Sequence, residues 1–277
     1  MSSLSNVARA LLPVGTIRWL RGDTNSVRQR FWYGPKEQLG LALHRVTGGS
    51  YLDWYARRMD SFVDFSRLES GDPEAIRSFE YHMSTSRNDL VVARHFGLAP
   101  HHKLHEFGVG FLRTGQHFIE FLDPGNFSGN DASGQRIKFG TEYIRRHIDI
   151  DAKRPLLITN TDNSFDWLDG RKVDFVWSLA VFTHMPQQDI DETIKNVRKI
   201  LKPGAIFLFT YSEKDAGSAV VRMNAKDWWH SYDFFEGIAA RYGFHIEDVT
   251  EALPESEEYN AATRLAKMTW HGEAAAL

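Results

Sequence analysis

The chain has 277 residues, 42% of them hydrophobic and 25% charged, with a net charge of −3, ordinary globular usage that excludes a mainly disordered or fibrous chain. It has no cysteine, which excludes disulfides, thiolate zinc sites and cysteine nucleophiles. Charge is unevenly spread: residues 1–60 hold nine Lys/Arg and four acids, a local +5 that leaves −8 for the remainder.

The first twenty residues carry a short apolar stretch around Leu11, Leu12 and Val14, interrupted by Pro13 and Gly15 and flanked by Arg9 and Arg18. It is too short to span a bilayer and lacks a cleavage site, so neither a transmembrane helix nor a signal peptide is expected, and the expected location is cytoplasmic. The basic head reads first as a solvated helical surface. It also leaves open contact with nucleic acid or a phosphorylated substrate, and weak peripheral membrane contact through Leu11, Leu12, Ile17, Trp19 and Leu20.

Farther along, Tyr51, Leu52, Tyr55, Met59, Phe62 and Val63 recur at three- and four-residue spacing, which predicts a helix with one apolar face. Asp72-Pro73-Glu74 reads as a helix start, with Asp72 as cap. A short helix over 88–96 is stopped by Gly97. From Lys103 the pattern changes to alternating elements. Strands are expected at 104–107, 127–130, 156–159, 174–178, 206–210, 244–249 and 263–270. Helices are expected at 116–122, 134–147, 189–201 and 228–242, the third stopped by Lys202-Pro203-Gly204. The implied fold is α/β: a doubly wound, mostly parallel seven-stranded sheet with its last strand antiparallel, plus an N-terminal helical extension. Residues 1–98 are read as that extension or lid, and 99–277 as the main domain.

The chemistry concentrates after the first strand. Gly108 and Gly110 stand where the chain turns from strand to helix, where glycine permits unusual backbone angles and close ligand approach. Asp131, at the end of the second strand, can accept hydrogen bonds from both ribose hydroxyls of a nucleoside. Two details argue against a nicotinamide dinucleotide. The third glycine of that fingerprint is replaced by Arg113. The acid Glu106 precedes the turn, where it suits a cofactor carrying a positive amino group rather than a pyrophosphate.

The run Glu106-Phe107-Gly108-Val109-Gly110-Phe111-Leu112-Arg113-Thr114-Gly115 and the following Phe121–Ser133 segment resemble class I S-adenosylmethionine (SAM) dependent methyltransferases. They are most similar to a bacterial small-molecule and glycan subgroup. Residues 174–185 and 197–204 resemble two further family segments, so the likeness spans 103–212 and extends through the final hairpin to about Trp270. Leu112 stands where many relatives carry glycine. The resemblance implies SAM as cofactor. Gly108 and Gly110 would then line its methionine end, with Glu106 reaching the amino group directly or through water. Asp131 would hold the ribose, Asp162 or Asn163 would sit beside the adenine, and Ser178 and Leu179 would border the sulfonium. Arg113 is either a contact to the cofactor carboxylate or a surface charge.

Methyl transfer depends first on alignment, worth roughly 7–11 kcal/mol, and a positioned base adds a rate factor of about 10²–10⁴. His184 is the leading candidate for such a base, against a role as a helix cap or packing residue. His230 and Tyr232 are rivals, and Glu213 and Asp215 follow the fifth strand. Trp228, Trp229, Tyr232, Phe234 and Phe235 read first as the buried face of a helix and second as a stacking surface. The resemblance implies that the segment 81–87, which precedes the core, folds over the cofactor as a lid, which would bring His82 or Arg87 to SAM or the acceptor. His101, His102 and His105 lack metal-ligand spacing, so no metal is expected. The expected reaction is methyl transfer to a small-molecule or glycan hydroxyl. The alternatives are a nucleic-acid or protein acceptor, for which there is no strong signal, and a non-catalytic SAM-binding module. The oligomeric state stays open.

Overall fold

The computed structural model describes residues 34–213, 221–222, 226–255, 259 and 262–272. The expectations for the apolar N-terminal stretch and for Asp215 lie outside them. Five helices come first: α1 (Gly34–Val46), α2 (Tyr51–Asp60), α3 (Phe65–Glu69), α4 (Pro73–Met83) and α5 (Arg87–His95). There follow β1 (Leu104–Phe107), α6 (Gly115–Phe121), β2 (Phe127–Asp131), α7 (Gly134–Ile144), α8 (Ile150–Lys153), β3 (Leu156–Thr159), β4 (Val173–Ser178), α9 (Gln187–Val197) and β5 (Leu201–Ser212). A two-stranded ribbon of β6 (Val221–Arg222) and β7 (Trp228–Trp229), then α10 (Tyr232–Tyr242), β8 (Phe244–Asp248) and β9 (Thr263–Trp270), complete the chain.

Among the described residues, seven strands form one sheet in the order β3-β2-β1-β4-β5-β9-β8. The first five run parallel and β9 enters antiparallel between β5 and β8. Parallel strands need a crossover between them, and the helices that supply it cover both faces. Val176, Phe207 and Phe209 therefore pack on one face against Ile190 and Ile194 of α9 and Phe235 of α10. Trp177, Leu208 and Phe127 pack on the other against Phe118 of α6 and Ile137 of α7. The order places the carboxyl ends of β1 and β4 side by side, next to the point where the strand sequence reverses. That is where an open α/β sheet has a crevice for a ligand.

Local capping explains where the helices start. Asp72 accepts from the N–H of Glu74 and Ala75 ahead of Pro73, as the sequence implies. Two expectations need correction. The helix expected over 228–242 begins only at Tyr232, because Ser231 caps it by accepting from Phe234 N–H, while Trp228 and Trp229 pair with β6 as strand. Pro203-Gly204 is not a helix stop but lies inside β5. The ladder to β4 jumps from Val173↔Leu201 to Phe175↔Ile206, so the intervening residues bulge, with Gly204 at φ 82°.

Candidate active site

β1 delivers the chain into a turn that the end of β2 holds. The N–H groups of Gly108 and Val109 both donate to the Asn130 carbonyl, at 2.9 and 3.0 Å. Gly108 has φ 81° and Gly110 φ 51°. A side chain at Gly108 would run into Val181, whereas the space that a Cβ would take at Gly110 is open. Leu112 is also left-handed at φ 63° yet fully buried. Its strain, about 1–2 kcal/mol, is offset by apolar burial.

Asp131 ties the same turn from the side. Its Oδ2 accepts from Gly110 N–H and its Oδ1 from Ser133 N–H, both at 2.8 Å. Burial raises its pKa above the usual carboxylate value and outweighs the lowering by these two N–H donors and by Arg136. Behind it runs a polar chain. Asn130 Oδ1 meets His105 Nε2 at 3.0 Å, Asn130 Nδ2 donates to Asn160 Oδ1 at 2.8 Å, and Ser128 Oγ lies 3.1 Å from His105 Nδ1. Burial pushes the His105 imidazole down to about 4, so it is neutral.

A cavity of about 310 Å³ opens over this turn, within the size range of small-ligand sites. Its floor is Gly108, Gly110, Asn130, Asp131 and Asp162, with Leu179, Ala180 and Val181 from the turn after β4. Arg113 lines it and donates to Thr85 Oγ1 at 3.0 Å. The roof is Leu52, Tyr55, Ala56 and Met59 of α2 together with His82. Two ties hold α2 there. Asp60 accepts from Ser133 Oγ and from Arg136 Nε, the latter at 3.0 Å, and Tyr51 Oη donates to the His184 carbonyl at 2.6 Å. His184 itself is on the cavity wall, with Tyr55 stacked on its ring at 5.4 Å between centroids.

Not every expected residue reaches this space. Glu106 is buried behind the turn, with Oε2 unpartnered and close to Gly115. Burial, reinforced by Asp89, holds its carboxyl well above the usual range despite Arg113. Ser178 is buried one position before the lining Leu179. Asp162 is on the wall, but Asn163 turns into the core, where its carbonyl accepts from Asn196 Nδ2. Arg87 is exposed at the start of α5, off the cavity wall. His230 is buried against the Phe182 carbonyl at 3.1 Å, and burial lowers its pKa to about 4, so it is a packed neutral residue. Tyr232 and Glu213 stand together, Glu213 accepting from Tyr232 N–H at 3.0 Å, away from the cavity. Of the aromatic cluster, Phe235 is core. His102 Nδ1 accepts from Ala99 N–H, and no group of three His, Asp or Glu among the described residues could hold a metal. Sequence reasoning missed the α2 roof, Asn130, Asn160 and Arg136. Only the position of Asn130 beside Asp131 offered a signal.

Strand order, glycine turn and the carboxylate closing β2 are those of the Rossmann-like fold of class I SAM-dependent methyltransferases. Residues 105–207 match a family model described as a methyltransferase domain. No curated protein matches the sequence. Among solved structures, the chain is similar to magnesium protoporphyrin IX methyltransferase ChlM from Synechocystis PCC 6803 with bound SAM. That similarity has 16% identity and a TM-score of 0.51, over 68% of this chain and 79% of that one. It is similar to the glycopeptide N-methyltransferase MtfA at 14% identity and TM-score 0.53, over 67% and 95% of the two chains. It is also similar to the CcbJ methyltransferase from Streptomyces caelestis at 11% identity and TM-score 0.53, over 68% and 91%. The open space at Gly110 and the half-buried carboxylate of Asp131 beside it suit the nucleoside and amino-acid ends of SAM.

Proposed function

We propose that this protein transfers the methyl group of SAM to a hydroxyl on a small-molecule or glycan acceptor, with His184 as the base. The observation that carries the reading is the shared cavity: Gly110, Arg113 and Asp131 lie on its walls together with His184. SAM, when bound, supplies an electrophilic methyl on a sulfonium. Asp131 would accept from the ribose hydroxyls, Asp162 would border the adenine, and Arg113 would meet the cofactor carboxylate. Gly108 and Gly110 would let the backbone approach the methionine end, and Glu106, buried behind the turn, would reach its amino group directly or through water. Leu179, with Ser178 behind it, would border the sulfonium. The roof formed by α2 would exclude water and shape the acceptor pocket, so that the described part of residues 1–98 would act as a lid on the domain 99–277. ChlM and MtfA are named for porphyrin and glycopeptide methylation, and those acceptor classes support the small-molecule reading. No helix among the described residues is long and apolar enough to cross a membrane, in keeping with a proposed cytoplasmic location.

Calorimetric titration with SAM and S-adenosylhomocysteine (SAH) tests the cofactor, and labelled methyl transfer to a panel of hydroxyl-bearing sugars and phenols tests the acceptor. His184→Ala is expected to lower turnover by about 10²–10⁴ and leave the SAH Kd nearly unchanged. Loss of SAH binding in that variant would assign His184 to the cofactor wall instead.

A further inference from the structure

We propose that Asp227 is the positioning residue for His184, and that the two form a carboxylate–imidazole pair presenting Nε2 as the proton acceptor of the cavity. The inference rests on the methyl-transfer reading and adds the residue that would orient its base. His184 Nδ1 lies 3.0 Å from Asp227 Oδ1 and 3.1 Å from the Lys226 carbonyl. A carbonyl and an ionised carboxylate can only accept, so the nitrogen facing both must carry the hydrogen. The neutral ring then holds its lone pair on Nε2, and the side chain is 28% exposed along the cavity wall. The ring is fixed from two further directions. Tyr55 stacks on it with 29° between planes, and Tyr51 Oη holds the His184 main chain.

Two acceptors on one nitrogen do more than set the tautomer. The carbonyl alone would do that, whereas only the carboxylate supplies negative charge. When the acceptor hydroxyl gives up its proton to Nε2, the electron pair left on the acceptor oxygen would form the bond to the methyl carbon as the sulfur–methyl bond breaks. The pair of that bond would return to sulfur to leave neutral SAH. The imidazolium so formed sits against Asp227, which is also paired with Lys226 Nζ at 2.7 Å. Among the described residues, Tyr51, Tyr55, Lys226 and Asp227 are ionisable groups in contact with or adjoining the ring, and Tyr55 also feels Arg136 and Asp131. An acceptor that must lose a proton profits from this pair, and a hydroxyl does so far more than an already neutral amine.

The test needs no acceptor. The probe is diethyl pyrocarbonate, which acylates an unprotonated imidazole nitrogen, with His184 followed by peptide mass spectrometry at about pH 8.5, above the ordinary imidazole range. Asp227→Asn is expected to slow acylation of His184 several-fold, and Asp227→Glu to restore most of the rate, while the SAH Kd stays within about twofold. An unchanged or faster rate in Asp227→Asn overturns the proposal. Nitrogen-15 NMR of the wild-type protein gives a check that survives misfolding of the variant: the His184 ring must be the Nδ1–H tautomer, and an Nε2–H tautomer overturns the assignment. Failure of the wild-type protein to bind SAH would instead strike the methyl-transfer reading and leave these two results standing.

Discussion

The floor and the roof of the cavity are built by different means. The floor is mostly main chain: Gly108, Val109 and Gly110 are held by Asn130 and Asp131 through N–H bonds of 2.8–3.0 Å. The roof is all side chain, with Leu52, Tyr55, Ala56 and Met59 presented by a ten-residue helix that is tied down by Asp60 and Tyr51. A floor built into a parallel sheet keeps its shape whatever is bound, because its hydrogen bonds belong to the fold. A roof on one short helix can shift or change its residues at small cost. The floor is thus suited to an invariant cofactor, and the roof to a particular acceptor.

The largest expected effect lies in the floor. Asp131→Ala should weaken SAH binding by about 1–3 kcal/mol, the usual consequence of losing a charged hydrogen-bond partner, as read by calorimetry. It also strips Gly110 N–H and Ser133 N–H of their acceptor, so the thermal midpoint should fall as well. An unchanged Kd would remove the ribose role and, with it, the division of labour between the two walls.

Glu106 sharpens the comparison because its two effects have opposite sign. Its folded pKa is raised, so the folded protein holds that proton more tightly than the unfolded chain. Between the unfolded and the folded pKa, stability therefore falls as pH rises. Glutamine has no charge to form in that buried place. Glu106→Gln should make the apoprotein more stable at about pH 8 and leave it nearly unchanged at about pH 4, where the wild-type carboxyl is largely protonated. The same variant should bind SAM about tenfold more weakly, because the ammonium end of the cofactor loses the carboxyl that would ionise beside it. Thermal unfolding at the two pH values, beside calorimetry, separates the effects. Destabilisation at both would make Glu106 a purely structural residue.

The floor was legible in the sequence because its parts are local. A glycine turn directly follows a strand, and Asp131 ends the next strand, so spacing alone brings them together. The antiparallel last strand was legible for the same reason, since the segment between the last two strands, acidic and broken by Pro254, reads as a loop rather than a crossover helix. The roof was not legible. Tyr55 and Met59 read as one apolar helix face, and nothing near them states that the face covers a turn after β1 and another after β4. Asp227 was equally hidden, since its partner His184 belongs to a distant turn and only the folded chain brings them within 3.0 Å. The error at Trp228-Trp229 has the same origin. Aromatic residues before a helix look helical by pattern, and the pairing with Val221–Arg222 is a tertiary fact. Asn163 and Asp162 were alternatives by position, and only the direction of the chain after β3 separates them.

The smallest expected change tests whether the roof is a lid in the kinetic sense. Asp60 holds α2 to Ser133 and Arg136, yet its charge also raises the pKa of Asp131 on the floor. Asp60→Ala removes both influences. Loss of the ties frees α2, which should speed SAH entry and release alike. Loss of the repulsion, with Arg136 left to face Asp131, favours the ionised carboxylate that the ribose needs. The pair with Arg136 is partly exposed, at 18% and 24%, so its removal should cost no more than about 1 kcal/mol. The two effects on affinity then nearly cancel. Stopped-flow binding should show association and dissociation rates both rising several-fold, with a Kd within about threefold of wild type. Dissociation alone rising, with the Kd rising in proportion, would mean that Asp60 supports the bound cofactor directly, and the roof would then be part of the floor's site rather than a cover over it.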